Sequence, residues 1–387
     1  MSTPPPHDDL VLPCDVAARA PSRAAGVVVT GAAGFLGTPL VAALLADGAT
    51  QVHCLVRASD DAAAARRMAR RLRDERLWSD AAARRLHCWA ADLAAPRLGL
   101  DAARHRTLVA QTARVYHAGA RVNASLPYAA LRDANVHGTV EALRLAAAAG
   151  AELHHVSTVA AQPTGDEPRK PSVAATWARL RSGYARSKWV AEQLVAEARA
   201  RGVATATYRL GALAGDTRTA RSNALDLRWL LIVGALELRC APIAPGTLAW
   251  LPVDAAATAI AALSRCAGAE RPPDPVRIAA TGGPSWTEVF SWLRRAGHRL
   301  SAVEPALWWQ RVEAAARAGT SPVLSRLAAV ERKLPSARPA RDDAVWRALA
   351  SMGVHEPRLD AELLCRYVDA YLASAVPEQE SSNGRNA

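Results

Sequence analysis

The chain has 387 residues, half of them hydrophobic, and a formal net charge of +12. This length and composition are typical of a globular protein with one large domain and a second, smaller one. The sequence contains no run of about 18 uncharged apolar residues, no signal peptide and no motif of a zinc finger, homeodomain or RNA-binding strand. These absences argue against a membrane-spanning, a secreted and a nucleic-acid-binding protein.

The excess positive charge comes from arginines that are spread along the chain, and it predicts solvated helix faces. The alternative is a surface that attracts an anionic partner, such as a phosphorylated cofactor or an acidic carrier protein. The six cysteines are scattered and contain no CxxC pair, which is typical of a reducing compartment. We therefore expect a cytoplasmic protein.

Residues 1–25 are rich in proline and predict a linker, with ordered structure from Gly26 onwards. Short apolar runs then alternate with segments of helical periodicity, which predicts βαβ units and an α/β fold. The expected fold is a Rossmann-type doubly wound parallel sheet with a smaller, mainly helical C-terminal substrate lobe. The predicted strands are Val27–Thr30, Gln51–Val56, Arg85–Trp89, Arg114–His117, Glu152–Ser157, Ala204–Leu210 and Val276–Ala279.

The change in pattern near residue 212 sets the expected domain boundaries. Residues 26–212 and about 248–282 are assigned to the Rossmann domain, and 213–247 and 283–374 to the lobe. Residues 375–387 are expected to form a disordered tail.

The first predicted strand leads directly into a glycine-rich turn, and an amphipathic helix follows. Glycines allow a tight turn and a close approach of the backbone to a pyrophosphate, which then lies at the helix N-terminus. The position between a strand and a helix is what makes this motif informative. The residues predicted to contact a dinucleotide here are Thr30, Gly31, Ala33, Gly34, Phe35, Leu36 and Gly37.

The second predicted strand ends at Arg57, where an NAD enzyme usually has Asp or Glu. An acidic residue there binds the ribose 2′-hydroxyl, whereas arginine accepts a 2′-phosphate. Arg67 lies ten residues later and supplies a second cation. The sequence therefore predicts NADPH as the cofactor.

Three further strand ends are expected to line the cofactor site. Asp92 and Leu93 follow the third strand, where an adenine ring would rest. Ala118, Gly119 and Ala120 follow the fourth strand and are small enough for a close approach to the cofactor.

Tyr184 and Lys188 are spaced i and i+4, which places them on one face of a helix. Thr158 follows the strand Glu152–Ser157, at the carboxyl edge of the sheet where such folds bind ligands. A free phenol has a pKa of about 10, and a neighbouring ammonium group lowers it. We predict Thr158, Tyr184 and Lys188 as the catalytic set, with Thr158 holding a substrate oxygen and Lys188 lowering the pKa of Tyr184.

Other reactive side chains carry no comparable pattern. His154 and His155 lie within a strand and have no companion ligands in the sequence, so we expect structural roles and no metal site. None of the cysteines has an evident histidine partner, which disfavours covalent thiol catalysis.

These motifs together resemble the thioester reductase domains that end nonribosomal peptide synthetases and carboxylic acid reductases, within the extended short-chain dehydrogenase/reductase superfamily. The similarity extends from about residue 8 to residue 374. The segments that carry it are Thr30–Gly37, Asn135–Thr139, Cys54–Ala58 with Arg67, Leu77–Trp78, Ala91–Leu93, Pro96–Leu100, His117–Asn123, Gly183–Trp189, Gly215–Thr219, Ser285–Trp286, Trp292–Leu293 and Pro357–Tyr367.

The resemblance implies hydride transfer from NADPH to a thioester carbonyl, with an aldehyde and a free thiol as products and an alcohol after a second reduction. It also implies that Tyr184 and Lys188 belong to the cofactor-binding residues, with Lys188 holding the nicotinamide ribose. The acyl or peptidyl group would be held on the phosphopantetheine arm of a carrier protein. Because no carrier domain precedes residue 1 in this sequence, we expect delivery in trans. Leu210 stands where the family usually has proline, which makes its predicted contact with the nicotinamide a departure from the pattern.

The polar, proline-containing segment between Gln162 and Gly183 is expected to be a loop that covers the pantetheine entrance. Three other functions stay open from the sequence alone: a fatty acyl-CoA reductase, a nucleotide-sugar epimerase or dehydratase, and a non-catalytic NADPH-sensing regulator. The acyl group and the oligomeric state cannot be read from these motifs.

Overall fold

The structure is a computed structural model that describes residues 5–123, 125–162, 172–266, 272–330 and 343–375. The chain divides into two compact units. Of the described residues, unit 1 comprises those within 5–211, 254–279 and 343–355, and unit 2 those within 212–253, 280–330 and 356–375. Residues 343–355, which the sequence pattern assigned to the lobe, therefore group with the Rossmann unit.

The strands of the described residues form short, mostly buried segments. In chain order they are β1 (Gly26–Thr30), β2 (Val52–Val56), β3 (Leu86–Ala90), β4 (Thr112–His117), β5 (Glu152–Thr158), β6 (Thr205–Leu210), β7 (Leu213–Ala214), β8 (Cys240–Pro242), β9 (Leu251–Pro252), β10 (Val276–Ile278) and β11 (Ser301–Val303).

The helices carry more residues than the strands. In chain order they are α1 (Gly37–Ala46), α2 (Asp61–Asp74), α3 (Asp80–Ala83), α4 (Ala102–Gln111), α5 (Tyr128–Arg132), α6 (Gly138–Ala149), α7 (Val173–Arg179), α8 (Gly183–Ala200), α9 (Leu227–Leu238), α10 (Val253–Leu263), α11 (Trp286–Arg295), α12 (Pro305–Arg317), α13 (Pro322–Ala328), α14 (Ala344–Ser351) and α15 (Ala361–Ala375). Short 3₁₀ turns lie at His7–Leu10, Pro96–Gly99 and Val159–Ala161, and a π-helical turn at Asp133–His137.

The central sheet of unit 1 has seven parallel strands within the described residues, in the order β10-β6-β5-β4-β1-β2-β3. Every residue of β1 and β2 is buried, as expected for parallel strands that are covered on both faces. The strand order reverses between β1 and β4, and ligands bind at the carboxyl ends of strands at such a point. The predicted α/β Rossmann fold is confirmed, and the seven predicted strands lie within two residues of their observed bounds.

The N-terminal segment differs from the predicted linker, because its described part packs against unit 1. Leu12 and Val16 are buried in the apolar core of this unit. Asp9 is also buried and accepts hydrogen bonds from Tyr128 at 2.6 Å and from Arg132 at 2.6 and 2.8 Å. Because this segment buries apolar side chains and pairs the Asp9 carboxylate with Arg132, it is held in place, although it is rich in proline.

The predicted entrance loop also differs in its described part. Residues 163–171 lie outside the described residues, but Val173–Arg179 form helix α7, which Ser172 caps through Ala175 N–H. Trp177 on this helix is 3% exposed and contacts Tyr128 edge-on at 5.0 Å between ring centroids. The apolar Trp177 explains why this part folds as a packed helix.

Unit 2 has a core of its own, made of aromatic and aliphatic side chains from α9, α11, α12, α13 and α15. Trp229, Trp286 and Trp308 are each at most 1% exposed. The predicted disordered tail falls almost entirely at residues 376–387, outside the described residues. No helix in the described parts of either unit has the length and apolar character needed to cross a membrane.

Candidate active site

The turn after β1 is shaped by contacts that only glycine permits. Gly31 has a φ of +65°, and a Cβ atom there would lie 2.6 Å from the Cα of Gly119 in the turn after β4. A Cβ at Gly37 would overlap the carbonyl oxygen of Gly31. The amide of Gly34 donates to that same oxygen at 2.8 Å and closes the turn. The backbone around Gly31 is therefore an open cradle at the carboxyl edge of the sheet.

Helix α1 starts at this cradle without a side-chain cap. In contrast, Asp60 caps α2 and Ser182 caps α8 through hydrogen bonds to backbone amides. The amides at an uncapped helix N-terminus favour an anion by their partial positive charge. A pyrophosphate fits this arrangement.

Thr30 joins the two turns from within the sheet. Its hydroxyl accepts a hydrogen bond from Gly119 N–H at 3.0 Å and lies 2.9 Å from Nδ1 of His117. Leu93 packs against the same turn, since a Cβ at Gly119 would lie 2.8 Å from its Cδ1 atom. The structure thus brings four of the predicted cofactor residues together: Thr30, Gly31, Leu93 and Gly119.

Asp92 is exposed and its carboxylate accepts the amide of Ala94 at 3.0 Å, so it orders the turn that presents Leu93. Arg57 is exposed at the end of β2. The guanidinium of Arg67, on α2, donates to the carbonyl oxygen of Arg57 at 2.8 Å. Two cations therefore stand at the end of β2, where an adenosine 2′-substituent is bound in this fold.

Helix α8 positions Tyr184 and Lys188. Ser182 accepts the amide of Ala185 at 3.1 Å and fixes the first turn, so the side chains of Tyr184 and Lys188 follow on one face. The helix packs against the short turn Val159–Ala161. Thr158 caps that turn by accepting Ala160 N–H at 3.2 Å, which leaves the proton of its hydroxyl free to be donated. Leu210 pairs with Thr158 in register across β5 and β6.

Comparison with known proteins adds to this geometry. Residues 29–260 match the model of the NAD-binding family described as male sterility protein. The chain belongs to this family. The terminal R domain from the myxalamid PKS–NRPS biosynthetic pathway has the same fold, with 30% identity, a TM-score of 0.86 and coverage of 95% of this chain and 96% of that one.

Two curated relatives are much longer than this chain. A linear gramicidin synthase polypeptide of Brevibacillus parabrevis is 33% identical over 95% of the chain, which spans 7% of that protein. Isonitrile lipopeptide synthase of Streptomyces coeruleorubidus is 35% identical over 90% of the chain, which spans 25% of that protein. The predicted resemblance to reductase domains is confirmed. The chain is a thioester reductase domain of the extended short-chain dehydrogenase/reductase type, and it binds a nicotinamide dinucleotide.

The pKa values of the reductase site differ in one respect from the sequence-based expectation. Burial raises the pKa of Tyr184 to about 12, and no lowering by Lys188 accompanies it. Burial lowers the pKa of Lys188 to about 8, against the opposing charge of Glu192. Nζ of Lys188 is instead 3.2 Å from Nε2 of His155. The Lys188 ammonium group is directed at the sheet and not at the phenol. It therefore makes no contact that would lower the pKa of Tyr184 as expected.

His155 is a neighbour of the site that the sequence did not single out. It was expected to be structural, but its side chain lies on the face of β5 that α8 covers and it is fully buried. The signal was present in the alternation of β5, since His155 and Ser157 share a face and both meet α8.

Glu192 is the second residue that sequence reasoning missed. It is 6% exposed, accepts a hydrogen bond from Ser157, and binds the guanidinium of Arg209 on β6 at 2.6 and 3.1 Å. Tyr184, Lys188 and Glu192 recur every four residues along α8. Glu192 therefore links the face of α8 that carries Tyr184 and Lys188 to the ends of β5 and β6.

Proposed function

We propose that this reductase domain uses NADPH to reduce an acyl or peptidyl thioester, held on the phosphopantetheine arm of a carrier protein, to an aldehyde and a free thiol. The observation that carries this proposal is the i, i+4 spacing of Tyr184 and Lys188 on α8, a helix that packs against the Val159–Ala161 turn capped by Thr158. The family match and the likeness to a terminal R domain support a thioester as the electrophile.

The choice of NADPH over NADH is supported by Arg57 and Arg67. Both side chains are exposed. The Arg67 guanidinium donates a hydrogen bond to the Arg57 carbonyl oxygen, which keeps it close to the end of β2. Guanidinium groups bind phosphate through charge and paired N–H donors. A 2′-phosphate would gain these contacts, whereas a 2′-hydroxyl would not.

Bound NADPH supplies a hydride to the carbonyl carbon of the thioester. The residues of this chain manage the charge that then develops on the oxygen. The Thr158 hydroxyl donates a hydrogen bond to that oxygen, and Tyr184 donates a second one and transfers its proton. A pKa of about 12 keeps Tyr184 protonated at neutral pH, as a proton donor must be.

The resulting hemithioacetal breaks its carbon–sulfur bond. The carbonyl re-forms as the hydroxyl proton leaves, and the thiolate takes up a proton, so one thioester, one hydride and one proton yield one aldehyde and one thiol. Release as an aldehyde needs no water to attack the thioester. Lys188, one turn after Tyr184 on the same face of α8, would hold the nicotinamide ribose.

A carrier protein as the donor is supported by the relatives. Both long relatives are synthases by name, and the chain aligns with a small part of each. Exposed arginines give this chain a positive surface that suits an acidic partner. We propose that a carrier delivers the thioester to this domain.

The test compares three thioesters of one acyl group: carrier-bound, coenzyme A-bound and bound to free pantetheine. NADPH oxidation is followed by absorbance, and the product is identified by mass. A kcat/KM for the carrier at least ten times that for coenzyme A supports the proposal. A higher kcat/KM for coenzyme A would indicate an acyl-CoA reductase, and oxidation with none of them would refute thioester reduction.

A further inference from the structure

His155 occupies an unusual place beneath the catalytic lysine. Its ring is 0% exposed, and Nε2 lies 3.2 Å from Nζ of Lys188, which is itself 2% exposed. An ammonium group has donors only, so Nε2 must be the acceptor and the ring must be neutral with its proton on Nδ1. Among the described residues, Nδ1 has no hydrogen-bond partner.

The neighbouring ring of His117 does not share this arrangement. It lies 5.6 Å from His155 between ring centroids, and both of its nitrogens are paired, with Thr30 at 2.9 Å and Thr139 at 3.2 Å. Thr139 in turn donates to the carbonyl oxygen of Asn135 at 2.7 Å. These partners fix His117 as a neutral ring and occupy both of its nitrogens. The Lys188 ammonium group therefore donates to His155.

A buried ring nitrogen without a hydrogen-bond partner destabilises the folded state. A histidine at this position is therefore unfavourable if it only fills space. Within the described parts of the chain, the hydrogen-bond contact of His155 is the one to Lys188. Given the proposed reductase function, we infer that His155 is a positioning residue: its Nε2 accepts a hydrogen bond from Lys188 that holds the ammonium in place and stabilises its charged form in a site that excludes water.

The charged and titratable groups around Lys188 are few. Glu192 lies one turn later on α8 and Tyr184 one turn earlier, while β5 and β4 contribute His155 and His117. Burial lowers the pKa values of both histidines, that of His117 to about 3 and that of His155 well below its usual range. Both rings therefore stay neutral across the working pH range, and the charge of Glu192 favours the ammonium form of Lys188.

The test measures the pKa of Lys188 directly, in the full chain. The protein has three lysines, Lys170, Lys188 and Lys333, so labelling with lysine enriched in ¹³C at Cε gives three NMR signals that single Lys→Arg variants assign. Two variants of similar size are compared with the parent. His155→Gln keeps an acceptor at the Nε2 position, and His155→Met removes it.

We expect the midpoint of the Lys188 signal to fall by about one pH unit in His155→Met, as loss of a hydrogen bond to a charged group predicts. His155→Gln should restore at least half of this shift. In turnover, the alkaline limb of the kcat profile should move down by the same amount in His155→Met.

His154→Leu is the matched control, because His154 points to the other face of β5, where Nδ1 lies 3.1 Å from the Tyr208 hydroxyl. It should leave the Lys188 midpoint unchanged. An unchanged midpoint in His155→Met, or an equal fall in His155→Gln, would overturn the inference. The NMR titration needs no substrate, so it can succeed even if thioester turnover is not found, and the two proposals fail separately.

Discussion

The hydroxyl of Tyr128 donates a hydrogen bond of 2.6 Å to the carboxylate of Asp9, which lies 119 residues earlier in the chain. The residues just before Tyr128 pack tightly on Gly183, where a Cβ would overlap the carbonyl oxygen of Leu126. Gly183 is the first residue of α8, immediately before Tyr184. The N-terminal segment is therefore connected, through Tyr128, to the start of α8.

Asp9→Asn should destabilise the protein by about 2 kcal/mol, since removing the charge from a buried pair leaves Arg132 without its counter-ion. Denaturant unfolding measures this, with the exposed Asp8→Asn as the control. Burial acts to raise the pKa of Asp9, but hydrogen bonds from Arg132 and Tyr128 outweigh it and lower the pKa. The stabilisation is thus present above the unfolded value of about 4 and lost as pH falls through the folded value, so parent and variant should converge in acid. A constant difference down to about pH 2, below both pKa values, would contradict this.

Tyr184→Phe should lower kcat by about 10²- to 10⁴-fold, because the proton donor to the developing oxyanion is lost. Affinity for NADPH, measured by tryptophan fluorescence, should change little. The control is Tyr208→Phe, which removes another buried phenol of unit 1 on the opposite face of the sheet. Equal kcat values for Tyr184→Phe and the parent would exclude Tyr184 as the donor.

Thr158→Val should lower kcat by about 10²-fold, as expected for the loss of one oxyanion donor, while Thr158→Ser keeps most of the activity. The serine variant retains both the cap on Ala160 and the free hydroxyl proton. If the serine variant is impaired and the valine variant keeps most of the activity, the methyl group and not the hydroxyl is what the site requires. Circular dichroism of both variants checks that the Val159–Ala161 turn and α8 still form.

The double variant Arg57→Ala, Arg67→Ala should raise the KM for NADPH about 10²-fold and leave the KM for NADH nearly unchanged. The reason is that both side chains would contact only the 2′-phosphate, which NADH lacks. Arg66→Ala with Arg70→Ala, on the same helix α2, is a control of equal charge. An equal rise for both cofactors would mean that these arginines do not discriminate between them.

Most of the fold could be predicted from the sequence because its signals are local. The apolar runs of β1 and β2, the turn at Gly31 and the i, i+4 spacing of Tyr184 and Lys188 each depend on a few adjacent residues. These patterns can be recognised without knowing which residues pack against them.

The parts that could not be predicted depend on contacts between distant residues. Asp9 sits in a proline-rich stretch, and only its partners on α5, more than a hundred residues away, show that the segment is held. Trp177 likewise turns part of an expected loop into a packed helix. The role of His155 required knowledge of which face of β5 meets α8, since a histidine in a strand is more often structural.

In the proposed reaction the domain delivers hydride to a thioester carbon and releases an aldehyde. The direct test supplies carrier-bound acyl thioester and NADPH deuterated at C4 on the transferred face, traps the product with a hydrazine and measures its mass. We expect one trapped aldehyde per NADPH oxidised, with one deuterium at the former carbonyl carbon, and a matching amount of free carrier thiol. Free acid without deuterium, or NADPH left unoxidised, would contradict it.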